Sequence, residues 1–186
     1  MKPLKKMTLG ELAAFVCTYL KKHGIDCVLS GGACVSIYTT NQYQSYDLDF
    51  IENISTGRKK LRDILAKIGF SEENRYFKHP DTKYFIEFPP GPLAVGDEPV
   101  RKTEEIKFCT GRLNLLSPTD CIKDRLAAYY HWDDRQSLEQ ALLVAEYNTV
   151  NLPEIFRWSK KEGKKKDFEK IRKQFILLQK AGNKSP

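Results

Sequence analysis

Asp47 and Asp49 stand two apart in the run Tyr46-Asp47-Leu48-Asp49-Phe50-Ile51. The alternation of apolar and acidic residues reads as a β-strand, and a spacing of two sends both carboxylates to one face. Side by side they repel one another unless a cation or hydrogen-bond donors satisfy them. Hard oxygen donors of this kind suit Mg²⁺ or Mn²⁺, and an ion between them would relieve the repulsion. The same spacing also occurs on solvated strand faces, where it does no chemistry.

Two further features sharpen the choice. Leu29-Ser30-Gly31-Gly32-Ala33 reads as a strand, a glycine pair and a helix start. Glycines at such a junction let backbone N–H groups approach a phosphate, and the helix N-terminus adds positive potential. A simple tight turn is the plainer reading. Downstream, Glu87 interrupts the apolar run Tyr84-Phe85-Ile86-Glu87-Phe88. An acid in a half-buried strand needs a cation, a donor or exposure at an edge.

Taken together, Gly31-Gly32, Ser45-Tyr46-Asp47-Leu48-Asp49-Phe50 and Glu87 resemble the nucleotidyltransferase superfamily of the DNA polymerase beta type. The nearest look is to the small bacterial AbiEii- and MenT-like proteins. The resemblance covers about residues 8–130. It implies a minimal nucleotidyltransferase fold in which Asp47, Asp49 and Glu87 are catalytic and hold Mg²⁺ or Mn²⁺. Gly31, Gly32, Ser45 and Lys123 would bind the nucleotide. Ser45 can meet a phosphate oxygen or cap its own loop. Lys123 is selected because similar proteins place a lysine of this helix near the triphosphate. Arg125 lies about 200° around the helix from it, and is expected to pair with an acid, as Asp124 is with a base.

The implied activity moves a nucleoside monophosphate from an NTP to an acceptor hydroxyl, on the 3′ end of an RNA such as tRNA, on a protein or on a small molecule. A toxin neutralised by an antitoxin partner is compatible with it. The sequence departs from the family in three places. Tyr43-Gln44-Ser45 stands where many relatives carry an arginine, Gly32 replaces a serine, and Phe88-Pro89-Pro90-Gly91-Pro92-Leu93 is an added proline-rich loop. The alternative is a catalytically idle domain of the same fold that binds RNA or protein.

These residues need elements to position them. Thr8-Leu9-Gly10-Glu11 fits a capping box, and Leu9, Leu12, Val16 and Leu20 follow at helical spacing up to Gly24. Strands are expected at 27–29, 46–51, 75–78, 84–88 and 105–108, the last with a hairpin partner at 113–115. Short helices are expected from Ala33 to Tyr38 and, capped by Thr56 or Ser55, up to Gly69. Pro89 to Pro99 reads as an irregular loop. From Ser117-Pro118 the pattern is helical, with four apolar stripes. The fold class is α+β, a mixed sheet with helices. Residues 1–116 form the sheet unit, 117–180 a helical part, and 181–186 a disordered tail. In Tyr129-Tyr130-His131-Trp132 the rings either stack a base or join the core.

Composition narrows the class. The chain has 186 residues, 41% hydrophobic and 30% charged, enough for a real core and unlike a collagenous or disordered chain. Five cysteines without a Cys-x-x-Cys pair, and three scattered histidines, argue for reduced thiols and against structural zinc. No apolar stretch is long enough to span a bilayer, and the N-terminus lacks a signal-type apolar core, so a cytoplasmic protein without membrane contact is expected. The net charge of +7 is uneven: residues 157–186 carry 11 Lys and Arg against 3 Asp and Glu. Those basic C-terminal helices could attract RNA, or simply form a solvated face.

Overall fold

The computed structural model describes residues 2–54 and 56–182. After a single 3-10 turn at Leu4–Lys6, Thr8 opens α1 (Leu9–Lys22) with a reciprocal cap. The Thr8 hydroxyl accepts from the Glu11 N–H, and the Thr8 N–H donates to the Glu11 carboxylate. Leu12, Val16 and Leu20 form its buried stripe. Next, β1 (Cys27–Ser30) is buried throughout, and α2 (Gly31–Tyr38) begins directly after its last residue. A polar loop then leads into β2 (Asp47–Glu52).

The third helix, α3 (Arg58–Ala66), departs from expectation at its start. Its cap is Gly57, at φ 88°, with no side chain closing the turn. The Thr56 N–H instead donates to Glu52, and Ser55 lies outside the described residues. Three short strands follow: β3 (Ser71–Glu73), β4 (Tyr76–Lys78) and β5 (Phe85–Glu87). The proline-rich segment is less irregular than expected, because β6 (Ala94–Val95) and β7 (Glu98–Pro99) pair within it. A hairpin of β8 (Thr103–Phe108) and β9 (Gly111–Leu116) completes the strands.

The main sheet runs β3-β4-β5-β2-β1-β9-β8. It is mixed: β1 pairs antiparallel with β2 and parallel with β9, while β2 and β5 are parallel. Ser117 caps α4 (Pro118–Trp132), accepting from the Asp120 N–H, with proline in the first turn. Then come α5 (Arg135–Tyr147), α6 (Leu152–Lys161) and α7 (Lys165–Gly182). The helix α7 includes Ala181 and Gly182, and residues 183–186 lie outside the described ones. One apolar core joins Leu29, Leu48 and Phe50 of the sheet to Ile122, Leu126, Trp158, Phe168 and Phe175 of the helices. Four of the five cysteines are buried, and all five are free thiols. Among the described residues no helix is long and apolar enough to cross a membrane.

Candidate active site

Leu48 and Phe50 face the core, so Asp47 and Asp49, half-buried, face the other way. Strand register then gathers their neighbours. Asp49 stands opposite Ser30 on β1 and opposite Glu87 on β5, while Asp47 stands opposite Phe85. The two aspartates expected together are together, and Glu87 shares their face.

Ser30 is where β1 ends and α2 begins, so the glycine pair meets the acids directly. Gly31 has φ +68°, and a Cβ built there would run into the Asp49 carboxylate. Gly32 is tight as well: a Cβ would lie 3.0 Å from the Ser45 hydroxyl and 3.4 Å from the Tyr43 ring. The glycines are needed for close approach as well as for the turn. That approach brings the N-terminus of α2, with its unsatisfied N–H groups, beside Asp49.

A run of hydroxyls orients Asp47. Ser36 donates to the Gly32 carbonyl at 3.3 Å and accepts from the Ser45 N–H at 2.8 Å. The Ser45 hydroxyl donates to Asp47 Oδ1 in a short contact. Ser45, itself buried, is thus committed to Asp47.

The electrostatics are strained. Burial first, then the charges of Asp47 and Glu87, push the Asp49 carboxyl up to about 7, against the opposing pull of Arg125. Arg125 is fixed by Asp124, 2.5 Å away, and by Gln140. Burial disfavours its charge, but Asp124 outweighs burial and keeps the guanidinium protonated. The expected partners of Arg125 and Asp124 are therefore each other. Glu87 is engaged by Arg75, whose Nε lies 3.2 Å from Oε1.

A hard divalent cation fits this donor set in part. Asp47 and Asp49 present their carboxylates on one face of β2, and burial with the neighbouring charges opposes the ionisation of Asp49. Glu87 is in register but turned to Arg75. Among the described residues no three acidic, histidine or cysteine side chains already converge as a metal-binding group. A third ligand from Glu87 requires Arg75 to let go.

Lys123 is not brought to these acids. Its ammonium, almost wholly buried, contacts Asp120 at 3.1 Å and Glu154 at 2.7 Å. It lines a cleft of about 620 Å³ with Arg157, Trp158 and Glu98 instead. The reason is helical phase: a residue two positions on points about 200° away, and Arg125 is the one whose charge reaches Asp49. The aromatic group divides likewise. Tyr130 joins the core, stacked on Trp158 at 6.0 Å, while Trp132 is 76% exposed. Arg75 and Ser36 were not singled out by the sequence. Arg75 acts across a strand pairing, and Ser36 carries no motif.

No family model matches the chain, and no curated protein matches it either. Among solved structures it resembles an antigenic nucleotidyltransferase-like protein from Paracoccidioides brasiliensis, at 14% identity and TM-score 0.68. That alignment covers 97% of this chain and 95% of the other, so the two share a fold across nearly their whole lengths. Two structures of the antibiotic-resistance factor ANT(2″)-Ia align more loosely. One gives TM-score 0.48 at 11% identity, covering 93% of this chain and 89% of that one. The other, in complex with adenylyl-2″-tobramycin, gives 0.47 at 12%, covering 94% and 96%.

Proposed function

We propose that the protein is a divalent-metal-dependent nucleotidyltransferase that moves a nucleoside monophosphate from an NTP to an acceptor hydroxyl. The observation that carries this reading is the placement of Asp47, Asp49 and Glu87 on one sheet face against the Gly31-Gly32 helix start. Asp47 and Asp49 would hold Mg²⁺ or Mn²⁺, with Glu87 joining once freed from Arg75. A bound ion would draw charge from the phosphates and acidify the attacking hydroxyl.

The chain's own groups do the rest. Backbone N–H groups at Gly31 and Gly32 face the phosphates from the N-terminus of α2. Ser45 fixes the rotamer of Asp47, and Arg125 supplies the positive charge expected of Lys123. The acceptor oxygen bonds to the α-phosphorus, the bond from that phosphorus to the bridging oxygen breaks, and pyrophosphate leaves. The hydroxyl proton passes to a carboxylate of the cluster.

The acceptor hydroxyl belongs to an RNA such as tRNA, to a protein or to a small molecule. The exposed Lys160, Lys161, Lys165, Lys166, Lys170, Arg172 and Lys173 of the C-terminal helices support a polyanion. A toxin role with an antitoxin partner rests on the sequence resemblance alone. The second reading, an idle binding domain of this fold, draws on the Arg75–Glu87 pair, which keeps the third acid occupied.

Label transfer separates the two. Purified protein is incubated with Mg²⁺, each α-labelled NTP and total RNA, with protein-only lanes beside. Label that enters RNA or protein with wild type, and is lost with Asp47→Ala and Asp49→Ala, supports the enzyme. Nucleotide binding without transfer from any NTP favours the idle domain.

A further inference from the structure

The loop between α2 and β2 carries a phenol, and α5 a buried amide, which the transfer chemistry has left unused. Thr40 and Asn41 both adopt left-handed backbone, at φ 49° and 65°, and reverse the chain after α2. Two consecutive non-glycine residues in that conformation are costly and persist only where their surroundings hold them. The holding bonds are visible. The Asn41 N–H donates to the Ser36 carbonyl at 2.8 Å, and the Tyr43 N–H to the Thr39 hydroxyl at 3.5 Å. The chain therefore runs back along α2, and Tyr43 and Ser45 reach its first turn.

There the Tyr43 hydroxyl stands beside Gly32. A Cβ at Gly32 would lie 3.5 Å from it, and 3.0 Å from the Ser45 hydroxyl that bonds Asp47. Tyr43 and Ser45 thus approach the glycine turn together, on the side of β2 that carries the aspartates. Beyond Tyr43 lies Gln140 of α5, only 6% exposed. Its Oε1 accepts from Arg125 Nη1 at 3.4 Å.

An amide whose oxygen is taken turns its NH₂ to the next neighbour, and here that neighbour is the Tyr43 hydroxyl. The phenol oxygen accepts from Gln140, so its own proton is left to donate elsewhere. Burial first, then the charge of Asp47, raise the Tyr43 pKa above its ordinary value, and the proton stays on at neutral pH. We propose that the Tyr43 hydroxyl donates to a phosphate oxygen of the nucleotide at the N-terminus of α2, and that Gln140 is the positioning residue that turns its proton there. This deepens the nucleotidyltransferase reading and rests on it. No proton is transferred: the phenol supplies a hydrogen bond, and Arg125 supplies charge. One buried amide sets both groups, although one comes from a loop and the other from α4.

Binding tests this without turnover. Calorimetry follows the full chain in Mg²⁺ against a non-hydrolysable NTP and against the matching nucleoside. Tyr43→Phe keeps the ring and its packing and removes only the donor. It should weaken NTP binding about tenfold or more, and leave nucleoside binding within about twofold. An ionised Gln140→Glu side chain can only accept, so it keeps Arg125 but captures the phenol proton. It should cost at least as much NTP affinity as Tyr43→Phe does. The double variant should lose less than the product of the two single losses, because both remove the same hydrogen bond.

NTP affinity unchanged by Tyr43→Phe would overturn the contact, as would an equal loss on the nucleoside, which marks a packing role for the ring. Losses that multiply in full in the double variant would overturn the role of Gln140. The proposal and the reading beneath it fail differently. A wild type that binds NTP no better than Tyr43→Phe defeats the contact alone, whereas a wild type that binds no NTP defeats the nucleotidyltransferase reading and the contact with it.

Discussion

Asp49 ionises late in the metal-free protein, because burial and two neighbouring carboxylates oppose its charge. Between about pH 4 and pH 7 the folded chain keeps a proton there that the unfolded chain has already released. Stability therefore falls as pH rises through that window, by at most about 4 kcal/mol for a shift of this size. Urea titrations in EDTA should show Asp49→Asn gaining on wild type from about pH 4 to about pH 8, with no difference at the acid end. A gap of constant size would contradict this origin of the strain. Gly31→Ala should lose about 1–3 kcal/mol, because it combines a positive φ with a methyl group aimed at the Asp49 carboxylate. The paired aspartates were legible in the sequence because strand periodicity is two, and the glycines because they precede a helix. The grip of Arg75 on Glu87 was not legible, since it depends on how β4 pairs with β5.

At the scale of elements, helix phase decides which cation serves the site. Arg125→Ala should weaken Mg-NTP binding about tenfold through the loss of a charged partner, whereas Lys123→Ala should leave it within twofold. Calorimetry reads both, and the reverse order would return Lys123 to the nucleotide. Ser117→Ala should cost about 1 kcal/mol by uncapping α4, the helix that carries Arg125. The caps at Thr8 and Ser117 could be read directly because hydroxyl, spacing and proline agree. Gly57 could not, since neighbouring hydroxyls offered better caps on paper and the Thr56 N–H went to Glu52 instead. The strand β3 escaped notice because Ser71-Glu72-Glu73 is polar and has no alternation. The pairing of β6 with β7 was hidden behind prolines that usually argue against strands.

Across the whole molecule, sheet and helices share one core, so the boundary near residue 116 separates patterns of sequence more than units of folding. Trp158 shows why: it is fully buried, stacks on Tyr130 and donates to the Val95 carbonyl at 3.1 Å. Trp158→Ala should cost about 3–5 kcal/mol, and wild type should unfold in one transition by every probe. Residues 1–116 alone would expose the surfaces that α4 covers, and should give no cooperative melt. The mixed sheet was readable from the order of elements. Its strand order was not, because the parallel β2–β5 and β1–β9 pairings join segments far apart in sequence. The functional reading stands or falls on whether Asp47 and Asp49, at the Gly31-Gly32 turn, form a metal–nucleotide site. Titration of Mn²⁺ followed by electron paramagnetic resonance, with a non-hydrolysable NTP present, tests it most directly. Wild type should bind Mn²⁺ in a nucleotide-dependent way, and Asp47→Asn and Asp49→Asn should lose that binding. Equal binding in all three proteins, or none in wild type, would contradict such a site.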